Sequence, residues 1–190
     1  MNEFDTQLFT LTSVNIILES IGELPLENEE DIDAILEARI AKQALIEAKL
    51  EVLSMGWDVN TDTDYTFLPD TDGIVSVPSN VLDIRSGEDI IMRDWKLYDK
   101  VAKSVKFEEA VQCDVKWNLD FNSLPHPLRY YITIKAARRM QGRSIGDSNA
   151  FSYTQQDEQS ALVAARESEG YTGQYNVLSG TYGTSFSVLG

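Results

Sequence analysis

One histidine, His126, and one cysteine, Cys113, are all that this 190-residue chain offers for nucleophilic or imidazole chemistry. A thiolate–imidazole pair would have to be built from those two, and nothing in the sequence brings them together. Cys113 alternates within a strand-like run, V-Q-C-D-V, which reads as a packed thiol. His126 stands between Pro125 and Pro127 at a helix start, which reads as structural. A single cysteine also excludes an intrachain disulfide and a multi-cysteine zinc site. Asp70-Thr71-Asp72-Gly73 resembles the middle of a calcium loop. Counting outward, however, puts Leu68 and Ser79 where that loop needs an aspartate and a glutamate, so the segment is a turn. Gly142-Arg143-Ser144-Ile145-Gly146 lacks the lysine and the spacing of a phosphate cradle. Carboxylates are abundant, but a charge run is usually a solvated face, and a site needs convergent groups. No catalytic residue, metal ligand or cofactor site is assigned, and no enzymatic activity is expected.

Charge is the next chemistry the sequence shows. The formal net charge is −15, which argues against a general nucleic-acid-binding surface. Its distribution says more than its sum. Residues 1–38 hold ten acids and no base, whereas five bases (Arg129, Lys135, Arg138, Arg139, Arg143) and no acid lie between Pro125 and Gly146. Residues 170–190 carry no charged side chain. Segregation of this kind marks segments that meet complementary surfaces, either within the chain or on a neighbour. Glu29, Glu30 and Asp31 opposite the five bases are the subunit-interface candidates.

The elements that must position these groups follow from periodicity. Leu8 to Ile21 is apolar at helical spacing, and Gly22 and Pro25 end it. Asn28 to Gly56 reads as one long helix: an acidic start, an apolar stripe of Ile32, Ile35, Leu36, Ile40, Ile46, Leu50 and Leu53, and a glycine stop. A short connection between the two favours an antiparallel pair. From Trp57 the texture turns to short alternating strands: 57–61, 65–67, 74–77, 81–84, 90–92, 95–98 and 111–117. Turn residues separate them, as in a mostly antiparallel sheet or a small sandwich. Leu124-Pro125 opens a third helix with Leu128, Tyr131, Ile132, Ala136 and Met140 inward, and a thin alanine-rich helix is expected from about Thr154 to Ser168. The fold class is α+β, an antiparallel helical bundle interrupted by a mostly antiparallel β domain, with an extended C-terminal tail. The bundle is expected at 1–56 and 123–169, the β insertion at 57–122 and a docking tail at 170–190. That tail mixes glycines with the anchors Tyr171, Tyr175, Val177, Leu178, Tyr182 and Phe186, a composition suited to ordering on a partner. No run approaches a membrane span, and nothing at the N-terminus suggests secretion.

Several of these residues, taken in order, resemble the tail tubular protein A family of short-tailed bacteriophages, the head-to-tail adaptors also called gatekeepers. The matching stretches begin with Ser13-Val14-Asn15-Ile16-Ile17-Leu18, Ser20-Ile21-Gly22-Glu23 and Pro25, then Gly56-Trp57 and Leu68-Pro69-Asp70. They continue with Pro125, Arg129-Tyr130, Ala136-Ala137-Arg138 and Tyr175-Asn176-Val177-Leu178-Ser179-Gly180. The set is collinear over nearly the whole chain, while the β region looks different past Ile84. The resemblance implies a helical bundle interrupted by a β domain and a dodecameric ring. That ring would dock under the portal protein and carry the nozzle protein (tail tubular protein B), with tail fibres as further neighbours. DNA would pass through its channel without sequence-specific binding. It also implies a virion protein assembled in the host bacterial cytoplasm. The contrasting expectation is a DNA-contacting or hydrolytic tail component that uses the five bases or surface carboxylates.

Overall fold

The computed structural model describes residues 3–87, 89–144 and 153–177. Among the described residues, five α-helices and a five-stranded sheet make it an α+β protein: α1 (Glu3–Glu19), α2 (Asp31–Ala34), α3 (Leu36–Ser54), α4 (His126–Ser144) and α5 (Gln155–Val177). The strands β1 (Thr61–Phe67), β2 (Val81–Ser86), β3 (Ile90–Arg93), β4 (Lys96–Asp99) and β5 (Val111–Trp117) fall between α3 and α4.

The central element is α4. It packs against α1, α3 and α5, and buried residues fall on most of its circumference: Leu128, Tyr131, Ile132, Thr133, Ile134, Ala136, Ala137, Met140 and Gln141. A helix with so many inward faces can carry charge only along the seams between its neighbours. The five bases lie there. The expected inward set is all buried except for its incompleteness: Ile134 and Ala137 belong to it too.

The long helix expected from Asn28 to Gly56 is two helices. Ile35 is extended (φ −98°, ψ 131°) and separates α2 from α3. On an unbroken helix Ile32 would stand above Leu36, within about 40° around the axis. Leu36 faces out, and the break turns Ile32 into the core, where it is 1% exposed. Apolar burial favours the break, because it removes a large aliphatic side chain from water.

The face of α3 that packs is also not the expected one. Ala38, Ala41, Ala44, Leu45, Ala48, Val52 and Leu53 are buried, whereas Ile35, Leu36, Ile40 and Ile46 are exposed. Of the expected stripe only Ile32 and Leu53 are buried. Small residues let α3 approach α4 closely, and close approach gains dispersion contacts along the whole interface.

Gly56 closes α3 with φ +80°, as a glycine stop requires. Trp57 then turns back into the helical core and does not begin a strand. Its indole N–H donates to the Val52 carbonyl at 2.7 Å, and Asn60 holds the turn by accepting from the Trp57 backbone N–H at 2.9 Å. The Asn60 amide also donates to the carbonyls of Leu53 at 3.1 Å and Trp117 at 2.8 Å. One buried side chain therefore ties the end of α3 to the end of β5.

The sheet order is β1-β5-β2-β3-β4, and every pairing is antiparallel. β5 alternates as expected, with Val111, Cys113 and Val115 inside and Gln112 and Asp114 outside. The 74–77 segment makes isolated bridges, Ile74 with Lys106 and Ser76 with Lys96, and is not a strand of the ladder. Val75 and Val77 nevertheless enter the sheet's own hydrophobic cluster beside Phe67, Val81, Ile84 and Leu97. The second cluster, around α4, takes Trp57, Phe121 and Leu124. Edge strand β1 blunts itself with outward Asp and Thr residues and a register shift between Asp62 and Tyr65.

Helix α5 begins with a reciprocal cap between Thr154 and Asp157: the Thr154 N–H and hydroxyl both donate to the Asp157 carboxylate at 2.7 Å. It then runs through Gly170 and Gly173 to Val177, past the expected end at Ser168. Each glycine costs about 1 kcal/mol against alanine, but propagation from an established helix needs no new nucleus.

Candidate functional site

The groups singled out for chemistry are separated by the fold. Cys113 is 2% exposed in the sheet cluster, and burial, helped by the neighbouring Asp114 charge, raises its thiol to about 11. His126 is exposed at the start of α4 and lines a groove with Phe9, Thr12, Ile16 and Tyr130. No Cys–His pair forms between them. Asp70 spends its carboxylate on its own turn, accepting from Asp72 N at 2.9 Å and Ile74 N at 2.8 Å, while Gly73 takes φ +79°. Among the described residues no cluster of histidine, cysteine, aspartate or glutamate has metal-binding geometry.

The five bases of α4 find partners inside the chain. Lys135 Nζ lies 2.8 Å from Glu51 on α3 and 3.4 Å from Glu158 on α5. Arg138 pairs with Glu158. Arg139 reaches Glu51 at 2.5 Å and Glu47 at 3.4 Å, and Arg143 reaches Glu47 at 2.9 Å. Arg129 makes no such pair among the described residues; it stacks on the Phe9 ring at 3.8 Å and donates to the carbonyls of Leu124 at 2.7 Å and Asn122 at 3.1 Å. The basic helix is thus stitched to α3 on one side and α5 on the other. Its partners are Glu47, Glu51 and Glu158, none of which lies in the acidic 1–38 segment.

The seam shifts its own titrations. Hydrogen bonds from Arg143 and then Gln43 hold the Glu47 carboxyl below its ordinary range, and the Lys135 hydrogen bond does the same for Glu51. Burial alone would lower Lys135, but the Glu51 hydrogen bond and nearby charges outweigh it and raise the amine. A carboxyl lowered on folding contributes stability above its ordinary value, 4.5, and loses it as pH falls through the lowered one. A raised amine contributes below its ordinary 10.5 and loses that contribution above the raised value. The seam is therefore complete between those limits. Glu51→Gln is expected to lose a few tenths to about 1 kcal/mol near neutral pH, discounted for the half-exposed carboxylate. That difference should shrink as urea titrations are repeated below about pH 4.5. A difference independent of pH would remove the ion pairs from the account.

Paired bases have little left for a phosphate backbone. A strongly basic, unpaired stripe is what salt-sensitive DNA binding requires, and the net charge of −15 opposes it. What stays unpartnered lies elsewhere. Glu29, Glu30 and Asp31 make no ion pair among the described residues; Asp31 accepts only a long hydrogen bond from Asn28 at 3.4 Å. The outward face of α3 carries large aliphatics, and α5 buries only Ala161 and Ala165 between 153 and 169. Of the tail anchors, Tyr171, Tyr175 and Val177 fall on the last turns of α5, whereas Leu178, Tyr182 and Phe186 lie outside the described residues.

Among the described residues, the chemistry left unspent lies on outward helix faces. A profile of tail tubular proteins matches residues 11–175, from the middle of α1 to the end of α5. The chain belongs to the tail tubular protein family, and is a structural component of a phage tail. It is also 29% identical over 161 residues to Tail tubular protein A of Klebsiella phage KP34, covering 83% of this chain and 85% of that protein.

Proposed function

We propose that the protein is the head-to-tail adaptor of a short-tailed phage. Copies form a ring, a dodecamer by family resemblance, that joins the portal protein above to the nozzle protein below and continues the DNA channel. The helical elements within 1–56 and 123–169 form the ring wall, and the 57–122 insertion faces the nozzle or the tail fibres. The 170–190 tail docks on the portal through Tyr171, Tyr175, Val177, Leu178, Tyr182 and Phe186. Glu29, Glu30, Asp31 and the half-exposed Arg143 are the charged groups that a neighbouring subunit meets. Arg129, Lys135, Arg138 and Arg139 contribute chiefly by holding α4 in place, since each is occupied within its own chain.

The observation that carries this reading is the inversion of α3: a family member that turns Leu36, Ile40 and Ile46 out to solvent presents an apolar face for another protein. The net negative charge suits a channel that DNA slides through without adhering. Two hydrophobic clusters, one around α4 and one in the sheet, support the division into a bundle and an insertion. Electron microscopy of the purified chain mixed with the portal protein of its phage tests the proposal. Rings seated on portal are the expected result. A chain that remains a monomer in the presence of both portal and nozzle would overturn it.

A further inference from the structure

Two helices of this fold present unspent outward rows that match each other. On α3, Leu36, Arg39, Gln43, Ile46 and Leu50 recur at alternating three- and four-residue steps, the spacing of a helix-packing seam. Leu36 is 55% exposed and Ile46 41%, and the buried alanines stand on the opposite side. Ile40, 40% exposed, flanks the row. On α5, Gln156, Ser160, Val163 and Glu167 follow the same stepping, opposite the buried Ala161 and Ala165, with Val163 45% exposed.

The rows complement each other in size and in charge. The α3 row is made of long side chains, and the α5 row sets two short ones, Ser160 and Val163, between Gln156 and Glu167, as knobs and the spaces between them require. Arg39 is the base in the α3 row, exposed and without an ion pair among the described residues. Glu167 is the acid in the α5 row, equally exposed and equally unpaired. Other ionisable groups near these rows are already spent: Lys42 on Asp33 at 2.8 Å, Glu47 on Arg143, and Arg166 on Glu169 at 3.0 Å and the Trp57 ring. Both rows stand exposed on the single chain, so they do not cover each other within it. They can meet between copies.

We propose that the α3 row of one copy docks on the α5 row of the next, with Arg39 and Glu167 forming the ion pair that sets the register. Such a contact joins two different faces. It can therefore repeat head to tail from copy to copy, closing a ring where the rotation per step returns to its start, whereas a two-fold arrangement of the same rows would stop at dimers. The proposal rests on the ring reading above and names the surfaces that would build it.

Charge exchange tests it. Arg39→Glu and Glu167→Arg each place like charges in contact at every interface, so each should reduce ring formation by at least about tenfold. The double variant should restore it to within about twofold of wild type. Monomer melting should be unchanged in all three, because both side chains are exposed. Crosslinking supplies an independent readout: Ile46→Cys combined with Ser160→Cys, which stand opposite each other when antiparallel rows pair Arg39 with Glu167, should give a ladder of dimers, trimers and larger species when purified phage particles are oxidised. Either single variant should give none, and Cys113 is too buried to compete. Rings that form normally with either single reversal, together with no ladder, overturn this contact and leave the adaptor reading standing. Particles that hold the wild-type chain only as isolated copies overturn both.

Discussion

Trp57→Ala is expected to destabilise the protein by about 3–5 kcal/mol, read as a drop in the urea midpoint with little change in slope. Trp57 is 2% exposed in the helical cluster, its ring centroid 6.3 Å from that of Tyr131. The Arg166 guanidinium covers the indole at 3.8 Å. Truncation would remove the largest fully buried side chain and leave a void that α4 and α5 cannot close without moving. It would also strand the Val52 carbonyl, which accepts the indole N–H at 2.7 Å, at the last turn of α3. Trp57→Phe separates the two terms: it keeps most of the volume, loses the hydrogen bond, and should cost roughly half as much. A loss below about 1 kcal/mol for Trp57→Ala would mean that the residue is not part of the core.

The position of Trp57 also shows where the sequence misleads. Trp57, Val59 and Thr61 alternate as a strand would, but Gly56 ends the helix in a left-handed turn that swings Trp57 back, and Asn60 fixes that swing with three hydrogen bonds. Alternation over three positions cannot reveal a side chain that bonds backwards. Elements with long local signals fared better. The glycine stops at 22 and 56, the start of α5 near Thr154, the start of α4 at Pro125 and the alternation of β5 all depend on neighbours within a few residues, and all were legible. The ion-pair seam was legible only by half. The run of bases on α4 is plain, yet its partners at 47, 51 and 158 lie 20 to 96 residues away, and ordinary glutamates carry no mark of which helix they will face. The acidic 1–38 segment was the more conspicuous partner by composition and is not the one the fold uses. The break at Ile35 belongs to the same class, since it answers to a core that Ile32 can reach only if the helix turns.

The orientation of α3 gives the other large expected effect. Periodicity alone assigns the inside of a helix to its bulkiest apolar stripe, which here is Ile35, Leu36, Ile40 and Ile46. The fold buries alanines in their place, so substitutions on the two faces should invert the usual rule. Ala44 is fully buried, and Ala44→Leu must force extra carbon atoms into a closely approached α3–α4 contact; it should cost about 1–3 kcal/mol by urea denaturation. Ile46→Ala removes a larger group, but from a position 41% exposed on the opposite face, and substitutes the best helix former. Its effect on the isolated chain should stay within about 0.5 kcal/mol of zero. The two together decide the issue more firmly than either alone, because a helix rotated by half a turn would exchange their effects. If Ile46→Ala proved the more damaging, the aliphatic stripe would be core and no apolar face would remain for a neighbour. With the order as expected, the exposed large side chains of α3 add little to the single chain, and their stabilising contribution belongs to the assembly that covers them.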